Sequence, residues 1–321
     1  MSFLQKREVR TRDRTRCYKA AQAAAFLFFI AGVASGLSGP HAEPGADRAK
    51  QYRWPGLNYR PEDTLARRIA PPPGARRVPL ASDSFGAWLR DLPLKAGRPP
   101  VRLYNGELKR NQSAHFAVID IDTGARDLQQ CADALMRLRS EYLFARGEFT
   151  RIRFRYTDES VARYDLWRQG FRPLIRERKK THWTKRAAPD VTYAGFRAYL
   201  EQLFMYAGTY SLSRESTGTS LSAMQVGDFF LQGGFPGHGV MIVDMAESTG
   251  VRGTEGENKV RRYYLLTQSY MPAQEMHVLN NPASDSPWYT LELDGGNTGA
   301  REKIRTPEWE FTGADLMRFS N

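Results

Sequence analysis

Two long segments of the chain repeat apolar residues at the three- to four-residue spacing of an amphipathic helix. The first segment spans residues 127–144 and the second spans residues 193–206. In the first, the apolar positions are Leu128, Cys131, Leu135, Leu138 and Tyr142. Asp127 and Gln130 stand where a capping box would begin that helix. A shorter helix is predicted over residues 82–92, where apolar side chains again share one face.

Strand patterns dominate the last third of the chain. Residues 226–231 and 261–268 are predicted strands, and residues 238–246 are almost continuously apolar, as in a strand buried on both faces. Residues 248–260 form a polar stretch, which predicts a loop. Earlier, residues 115–121 and 149–156 are also predicted strands. Helices followed by a run of strands predict an α+β fold.

The N-terminal region has the layout of a bacterial export signal. Residues 1–19 are rich in Lys and Arg, and residues 20–36 form an apolar run. That run is either cleaved or kept as a single membrane anchor, with the rest of the chain outside the cytoplasm. Residues 37–74 are rich in Pro, Gly and Arg and predict a tether. Residues 75–321 are then the globular domain, in the periplasm or at the outer face of the inner membrane.

Composition narrows the possible classes of protein. The 321 residues are 41% hydrophobic and 26% charged, which excludes a mainly disordered or fibrous chain. The two cysteines, Cys17 and Cys131, lie far apart, which excludes a disulfide framework and a cysteine-rich zinc site. We expect neither a cofactor nor a metal.

Positive charge is concentrated in one short stretch. The formal net charge is +12, and residues 172–186 hold seven Lys/Arg against one Glu. This basic loop predicts contact with an anionic envelope polymer or with lipid head groups. The candidate ligand-binding residues are Arg176, Arg178, Lys179, Lys180 and Lys185. The alternative to an anion-binding role is that this stretch is simply a solvated loop. No nucleic-acid-binding motif accompanies it, so no nucleic-acid partner is expected.

One set of residues has the chemistry of a thiol-dependent enzyme. Cys131 lies near the start of its predicted helix, where backbone N–H groups can stabilise a thiolate. If residues 248–260 close a hairpin, His238 and Gln268 are near-opposite neighbours, and the Gln268 amide oxygen can accept from the imidazole. Gln130, or nearby backbone N–H groups, could stabilise an oxyanion. Gln274 is a second candidate for the role of Gln268. The alternatives are a buried, inert thiol and a structural histidine.

The order of Cys on a helix, then His, then a polar residue resembles papain-like cell-wall cysteine peptidases and amidases of the NlpC and CHAP groups. Gly227-Asp228 and the strand opening at His238 match their pattern, although the gap of 107 residues from Cys131 is longer. The resemblance implies a papain-like helix-plus-antiparallel-sheet core with an inserted helical and basic segment.

A second resemblance spans most of the chain. Four stretches are similar to an uncharacterised bacterial family, domain of unknown function 4846. They are residues 127–133 followed by 137–143, residues 206–212, residues 227–238, and residues 268–274 with 287–289 and 306–309. That family has no assigned activity, so the resemblance implies the extent of the domain and an envelope setting.

Two functions therefore remain open for an exported envelope protein. The first is a thiol-dependent amide hydrolase or transferase acting on peptidoglycan or another wall component. In it Cys131 attacks, His238 is the base, and Gln268 orients the imidazole. The second is a non-enzymatic binding or scaffold module that holds anionic polymers with the basic loop. A membrane contact through residues 20–36 is expected if that segment is not cleaved.

Overall fold

The computed structural model describes residues 51–176, 179–252, 258–293 and 301–320. The α-helices are α1 (Leu65–Arg68), α2 (Phe85–Arg90), α3 (Cys131–Ala145), α4 (Tyr164–Trp167), α5 (Tyr193–Phe204) and α6 (Thr209–Glu215). The strands before α5 are β1 (Arg76–Arg77), β2 (His115–Val118), β3 (Arg153–Arg155), β4 (Val161–Arg163), β5 (Phe171–Arg176) and β6 (Lys179–Lys185). Those after α6 are β7 (Thr217–Gly218), β8 (Phe229–Gln232), β9 (His238–Arg252), β10 (Asn258–Gln268), β11 (His277–Leu279), β12 (Tyr289–Leu293), β13 (Lys303–Arg305), β14 (Glu310–Thr312) and β15 (Leu316–Arg318).

The largest sheet is built around the antiparallel pair β9 and β10. Its order is β2-β11-β10-β9-β8-β15-β7, with β1 added to β9 and β12 added to β10. Three further two-stranded sheets pair β3 with β4, β5 with β6, and β13 with β14. The predicted α+β class is confirmed.

Side chains alternate across the large sheet and define its two faces. We call the side covered by α3 the helix face; Met241 and Val243 lie on it, in the core cluster that contains Leu135. We call the other side the back face; Val240 and Ile242 lie there, in a second core cluster. The continuous apolar pattern of β9 follows, because both faces of this strand are buried.

Helix α3 begins later than its apolar pattern predicts. It starts at Cys131, and Gln130 is the N-cap. The Asp133 carboxylate accepts the backbone N–H of Gln130 at 3.1 Å, so the cap is formed by these two residues. Asp127 instead accepts the backbone N–H of Ala273 at 2.6 Å. The predicted Asp127 cap is therefore wrong, because a tertiary contact takes that side chain.

Part of the predicted tether is folded. Tyr52, Trp54, Leu65 and Ile69 are buried in the core cluster that packs against the helix face. The Tyr52 hydroxyl donates to the backbone oxygen of Trp88 at 2.7 Å. Aromatic and aliphatic burial thus outweighs the Pro and Gly content between residues 51 and 74. The tether prediction for residues 37–50, and the export signal, lie outside the described residues.

The basic stretch is a β-hairpin, not a loop. Strands β5 and β6 pair from Phe171 opposite Lys185 to Arg176 opposite Lys179. The stretch 248–260, predicted as a loop, mostly continues β9 and β10. Within the part of the chain that is described, no helix is long and apolar enough to cross a bilayer.

Candidate functional site

Cys131 occupies the first turn of α3, directly over β9. Gly239 allows this close approach, because a Cβ there would lie 3.0 Å from a methyl of Leu135 and 3.0 Å from a methyl of Leu231. The thiol is therefore held against the backbone of the residue that follows His238. Cys131 is 9% exposed.

Burial decides the protonation of this thiol. Loss of solvation, with a smaller contribution from the Asp133 carboxyl, raises the pKa of Cys131 to about 11. Backbone N–H groups of Ala132 and Gly239 favour the thiolate but do not offset the burial. Burial also raises the pKa of Asp133 well above its usual range. At neutral pH Cys131 is a protonated thiol, not the activated nucleophile that its helix position suggests.

His238 lies in an aromatic cage on the back face. Its ring centroid is 4.6 Å from that of Tyr270, 5.3 Å from that of Trp309 and 5.9 Å from that of Phe311. The side chain is 1% exposed. Burial lowers the pKa of His238 to about 4, so the imidazole is neutral at physiological pH.

The predicted contact between His238 and Gln268 is present. His238 Nε2 and Gln268 Oε1 are 2.9 Å apart. Gln268 Nε2 lies 2.7 Å from a carboxylate oxygen of Glu308, and a carboxylate can only accept. The Gln268 amide therefore directs its N–H₂ to Glu308 and its oxygen to the imidazole. His238 must be protonated on Nε2, which leaves the Nδ1 lone pair as its basic site.

Two further residues complete this buried polar chain. Lys109 forms an ion pair with Glu308, and Lys109 is buried. His277 Nε2 lies 3.3 Å from Gln268 Nε2, and its Nδ1 lies 2.9 Å from the backbone oxygen of Glu275. His277 therefore accepts from Gln268 and donates to the backbone. These hydrogen bonds fix one tautomer of each histidine, and Glu308 is the partly exposed member of the network.

The strand pattern of β9 relates the thiol to the imidazole. A Cβ at Gly239 would point at Leu135 of α3, and Met241 lies on the same face of β9. His238 shares its face with Val240, and its ring lies next to Phe311. The Cβ of His238, the first residue of β9, thus points away from α3. Tyr270, which lies beside the imidazole, also interacts electrostatically with the Cys131 thiol. Within the described residues, no hydrogen bond joins the Cys131 thiol to the His238 ring. The expected contact between nucleophile and base stays a prediction.

The other two glutamines of the sequence prediction have structural contacts. Gln130 Nε2 donates to Asp127 at 3.0 Å, next to Cys131. Gln274 is buried and its backbone oxygen accepts from Ser269 at 2.8 Å. No hydrogen bond between Gln274 and His238 occurs among the residues described. An oxyanion role for Gln130 stays a prediction.

The basic hairpin is anchored to the body by three contacts. Trp183 Nε1 donates to the backbone oxygen of Val161 at 3.1 Å, and Thr181 donates to Asp158 at 2.8 Å. The Arg172 guanidinium stacks 3.9 Å from the Trp167 ring. His182, Lys185 and the following Arg186 are exposed. These contacts hold the hairpin in a defined position and leave charged side chains facing solvent.

Most of the candidate anion-binding residues lie at the turn of this hairpin, whereas Lys185 lies at its open end, opposite Phe171. Arg176 ends β5, Lys179 and Lys180 begin β6, and Lys185 ends it. Arg178 lies outside the described residues. The neighbouring strands extend the charge, since residues 151–186 hold twelve Lys/Arg and four Asp/Glu. This segment therefore carries a formal excess of eight positive charges, out of twelve for the whole chain.

Sequence reasoning missed Lys109, Glu308 and the arginines of β3. Glu308 stands 40 residues from Gln268, in a loop without periodicity, so spacing gives no signal for it. Arg153 and Arg155 flank the buried Phe154. The alternation of charged and apolar residues indicates one exposed and one buried face of the strand, but it does not indicate a cleft beside it.

The comparisons with known proteins identify a family. The model for domain of unknown function (4846) matches residues 65–318, and the chain belongs to that family. No curated protein and no solved structure matches the chain. The family resemblance found in the sequence is thereby confirmed, whereas the papain-like resemblance is not.

Proposed function

We propose that this protein is a non-enzymatic module of the cell envelope that binds anionic, phosphate-rich polymers through the β5–β6 hairpin. The main support for the proposal is the concentration of positive charge in one segment of the chain. Residues 151–186 are about one ninth of the chain yet hold two thirds of its formal net charge. A surface with an electrostatic potential of one sign raises the local concentration of an oppositely charged polymer.

The anchoring of the hairpin also supports a binding role. A solvated loop needs no fixed position, but this hairpin is attached through Trp183, Thr181 and Arg172. Fixed cations lose less conformational entropy when they bind a ligand than cations on a free loop. The envelope setting rests on the basic and apolar layout of residues 1–36.

A polymer is favoured over a lipid surface as the partner. Proteins that lie on membranes usually combine basic residues with apolar side chains that enter the bilayer. Among the described residues, the exposed large hydrophobic side chains are Leu108, Val191, Met205, Tyr206, Tyr210, Phe235 and Met271. All of them lie outside residues 171–186. The described part of the hairpin therefore presents charged side chains but no exposed large apolar side chain that could enter a bilayer.

The test is retention of the purified full-length chain on immobilised polyphosphate. Replacing Lys179, Lys180 and Lys185 together with Gln should lower the salt concentration needed for elution. A matched triple replacement of Arg60, Lys303 and Arg305, which are exposed cations elsewhere, should change elution much less. Equal elution of the two triple variants would contradict the proposal. Retention on anionic vesicles, but not on polyphosphate, would contradict the choice of a polymer.

A thiol-dependent amide hydrolase with a papain-like core is the second candidate. It is supported by the predicted His238–Gln268 hydrogen bond, which leaves Nδ1 available as a base. It requires the Cys131 thiol to reach the His238 ring, and no hydrogen bond joins the two among the described residues. Turnover of peptidoglycan fragments by the wild type, with none by Cys131→Ala, would favour this candidate over the binding module.

A further inference from the structure

A cleft of about 390 Å³ lies between the β3–β4 hairpin and the end of α6. Its walls include the arginines Arg153, Arg155 and Arg214, together with Glu215, Val161 and Phe319. Its volume is within the range of small-molecule sites. The cleft adjoins the basic hairpin, because Val161, which lines it, accepts the hydrogen bond of Trp183.

The strand pattern explains why two arginines reach this cleft. Phe154 points into the core and is 1% exposed, so its neighbours Arg153 and Arg155 project from the opposite face of β3. Arg214 comes from the last turn of α6. Arg214 pairs with Glu159 at 3.0 Å, and both side chains are more than half exposed. Such a pair contributes little to stability and exchanges readily for another anion.

Glu215 is the unusual group of the cleft. One carboxyl oxygen accepts the backbone N–H of Arg155 at 2.8 Å. The other oxygen, Oε1, is buried and has no partner within the described residues. Burial raises the pKa of Glu215 to about 8, so the carboxyl is protonated at neutral pH. Because Oε2 accepts the backbone N–H, the proton belongs on Oε1, which becomes a hydrogen-bond donor without an acceptor.

We propose that this cleft binds one phosphorylated sugar unit, with the phosphate against the guanidinium groups and the sugar ring against Val161 and Phe319. Guanidinium groups match the oxygens of a phosphate, and a neutral carboxyl beside them adds no negative charge that would repel it. The inference rests on the proposed function, because it assigns a single repeating unit of the polymer to a defined pocket beside the hairpin.

Ionisation of Glu215 should weaken this binding. Above about pH 8 a carboxylate would stand in the cleft and repel the phosphate. The phosphate itself is already mostly dianionic above about pH 7, so its own titration does not produce the same effect. Glu215→Gln keeps a donor of similar shape and removes the titration.

The experiment is isothermal titration of the full-length chain with glucose 1-phosphate, with glucose and inorganic phosphate as comparison ligands. We expect glucose 1-phosphate to bind more tightly than either comparison ligand. Arg214→Gln should weaken binding by about tenfold, the loss expected for one charge-assisted contact. Lys303→Gln, at an exposed cation outside the cleft and the hairpin, should leave it unchanged. Between about pH 7 and 9 the wild-type affinity should fall, and the affinity of Glu215→Gln should stay constant.

Three results would overturn the inference: no binding of glucose 1-phosphate, equal affinity for inorganic phosphate, or unchanged affinity in Arg214→Gln. The two proposals fail separately. If the hairpin variants lose polyphosphate retention while glucose 1-phosphate does not bind, the polymer-binding function stands and the pocket assignment falls. If glucose 1-phosphate binds but the hairpin variants elute normally, the hairpin proposal falls.

Discussion

Thiol labelling separates the binding module from the hydrolase, since it reports the chemical state of Cys131 directly. The perturbation is Cys17→Ser, which leaves Cys131 as the sole thiol of the chain. Modification of this variant by a disulfide reagent then follows one residue only. Labelling in concentrated guanidinium chloride provides the reference for the same thiol in the unfolded chain.

The structure sets the size of the expected effect. Burial raises the pKa of Cys131 to about 11, whereas an unperturbed thiol has a pKa of about 8.5. At about pH 7.5 the thiolate fraction falls from roughly one in ten to roughly one in three thousand, and the thiolate is the reacting form. We therefore expect labelling roughly 300-fold slower than in the unfolded chain, before any steric protection by α3 and β9 is added.

The assay measures the labelling rate of the folded variant between about pH 6 and 10. We expect the labelling rate of Cys131 to rise steadily with pH and to reach no plateau in this range. Rapid labelling with a midpoint below about pH 8 would refute this reasoning, because it would require a stabilised thiolate. That result would favour the hydrolase and a rearrangement that brings the thiol to His238.

Three further predictions concern stability, measured by urea denaturation. Gly239→Ala should destabilise the fold by about 1–3 kcal/mol, because the new methyl group would press on two leucine side chains that already pack there; an unchanged midpoint would show that α3 is not held as closely as described. Glu308→Ala should cost about 3 kcal/mol by leaving Lys109 buried without its counter-charge, and adding Lys109→Met should recover part of the loss; no recovery would contradict the ion-pair explanation. Glu215 keeps its proton in the folded state to about pH 8 but loses it near 4.5 when unfolded, so wild-type stability should fall across this interval by an amount on the order of 1–3 kcal/mol. Glu215→Gln should lack that fall, and parallel pH profiles for the two proteins would argue against a raised pKa.

Periodicity predicts the elements that position the site, but not the orientation of every side chain in it. The pairing of His238 with Gln268 follows from the midpoint of the intervening stretch, and the structure contains that hydrogen bond. The face that His238 occupies does not follow, because β9 is apolar on both faces and gives no alternating pattern to read. The pattern therefore does not predict whether the imidazole reaches the Cys131 thiol.

The basic hairpin shows a second limit of prediction from the sequence. Residues 171–185 are dominated by charge, which hides the strand signal of Leu174 and Trp183. Its position depends on contacts with Val161 and Asp158, more than 20 residues away in the sequence. Composition therefore predicts an anionic partner, but the placement of the hairpin beside an arginine-lined cleft depends on tertiary contacts.

The salt dependence of polyphosphate binding tests the central claim most directly. For polyphosphate chains such as single-stranded nucleic acids, each neutralised phosphate contributes about 0.7 to the slope of log K against log salt. Replacing Lys179, Lys180 and Lys185 with Gln should therefore reduce the slope for the full-length chain by about two. The Arg60, Lys303 and Arg305 triple variant should keep the wild-type slope. Identical slopes for the wild type and the hairpin variant would contradict the account, because they would show that polymer binds elsewhere.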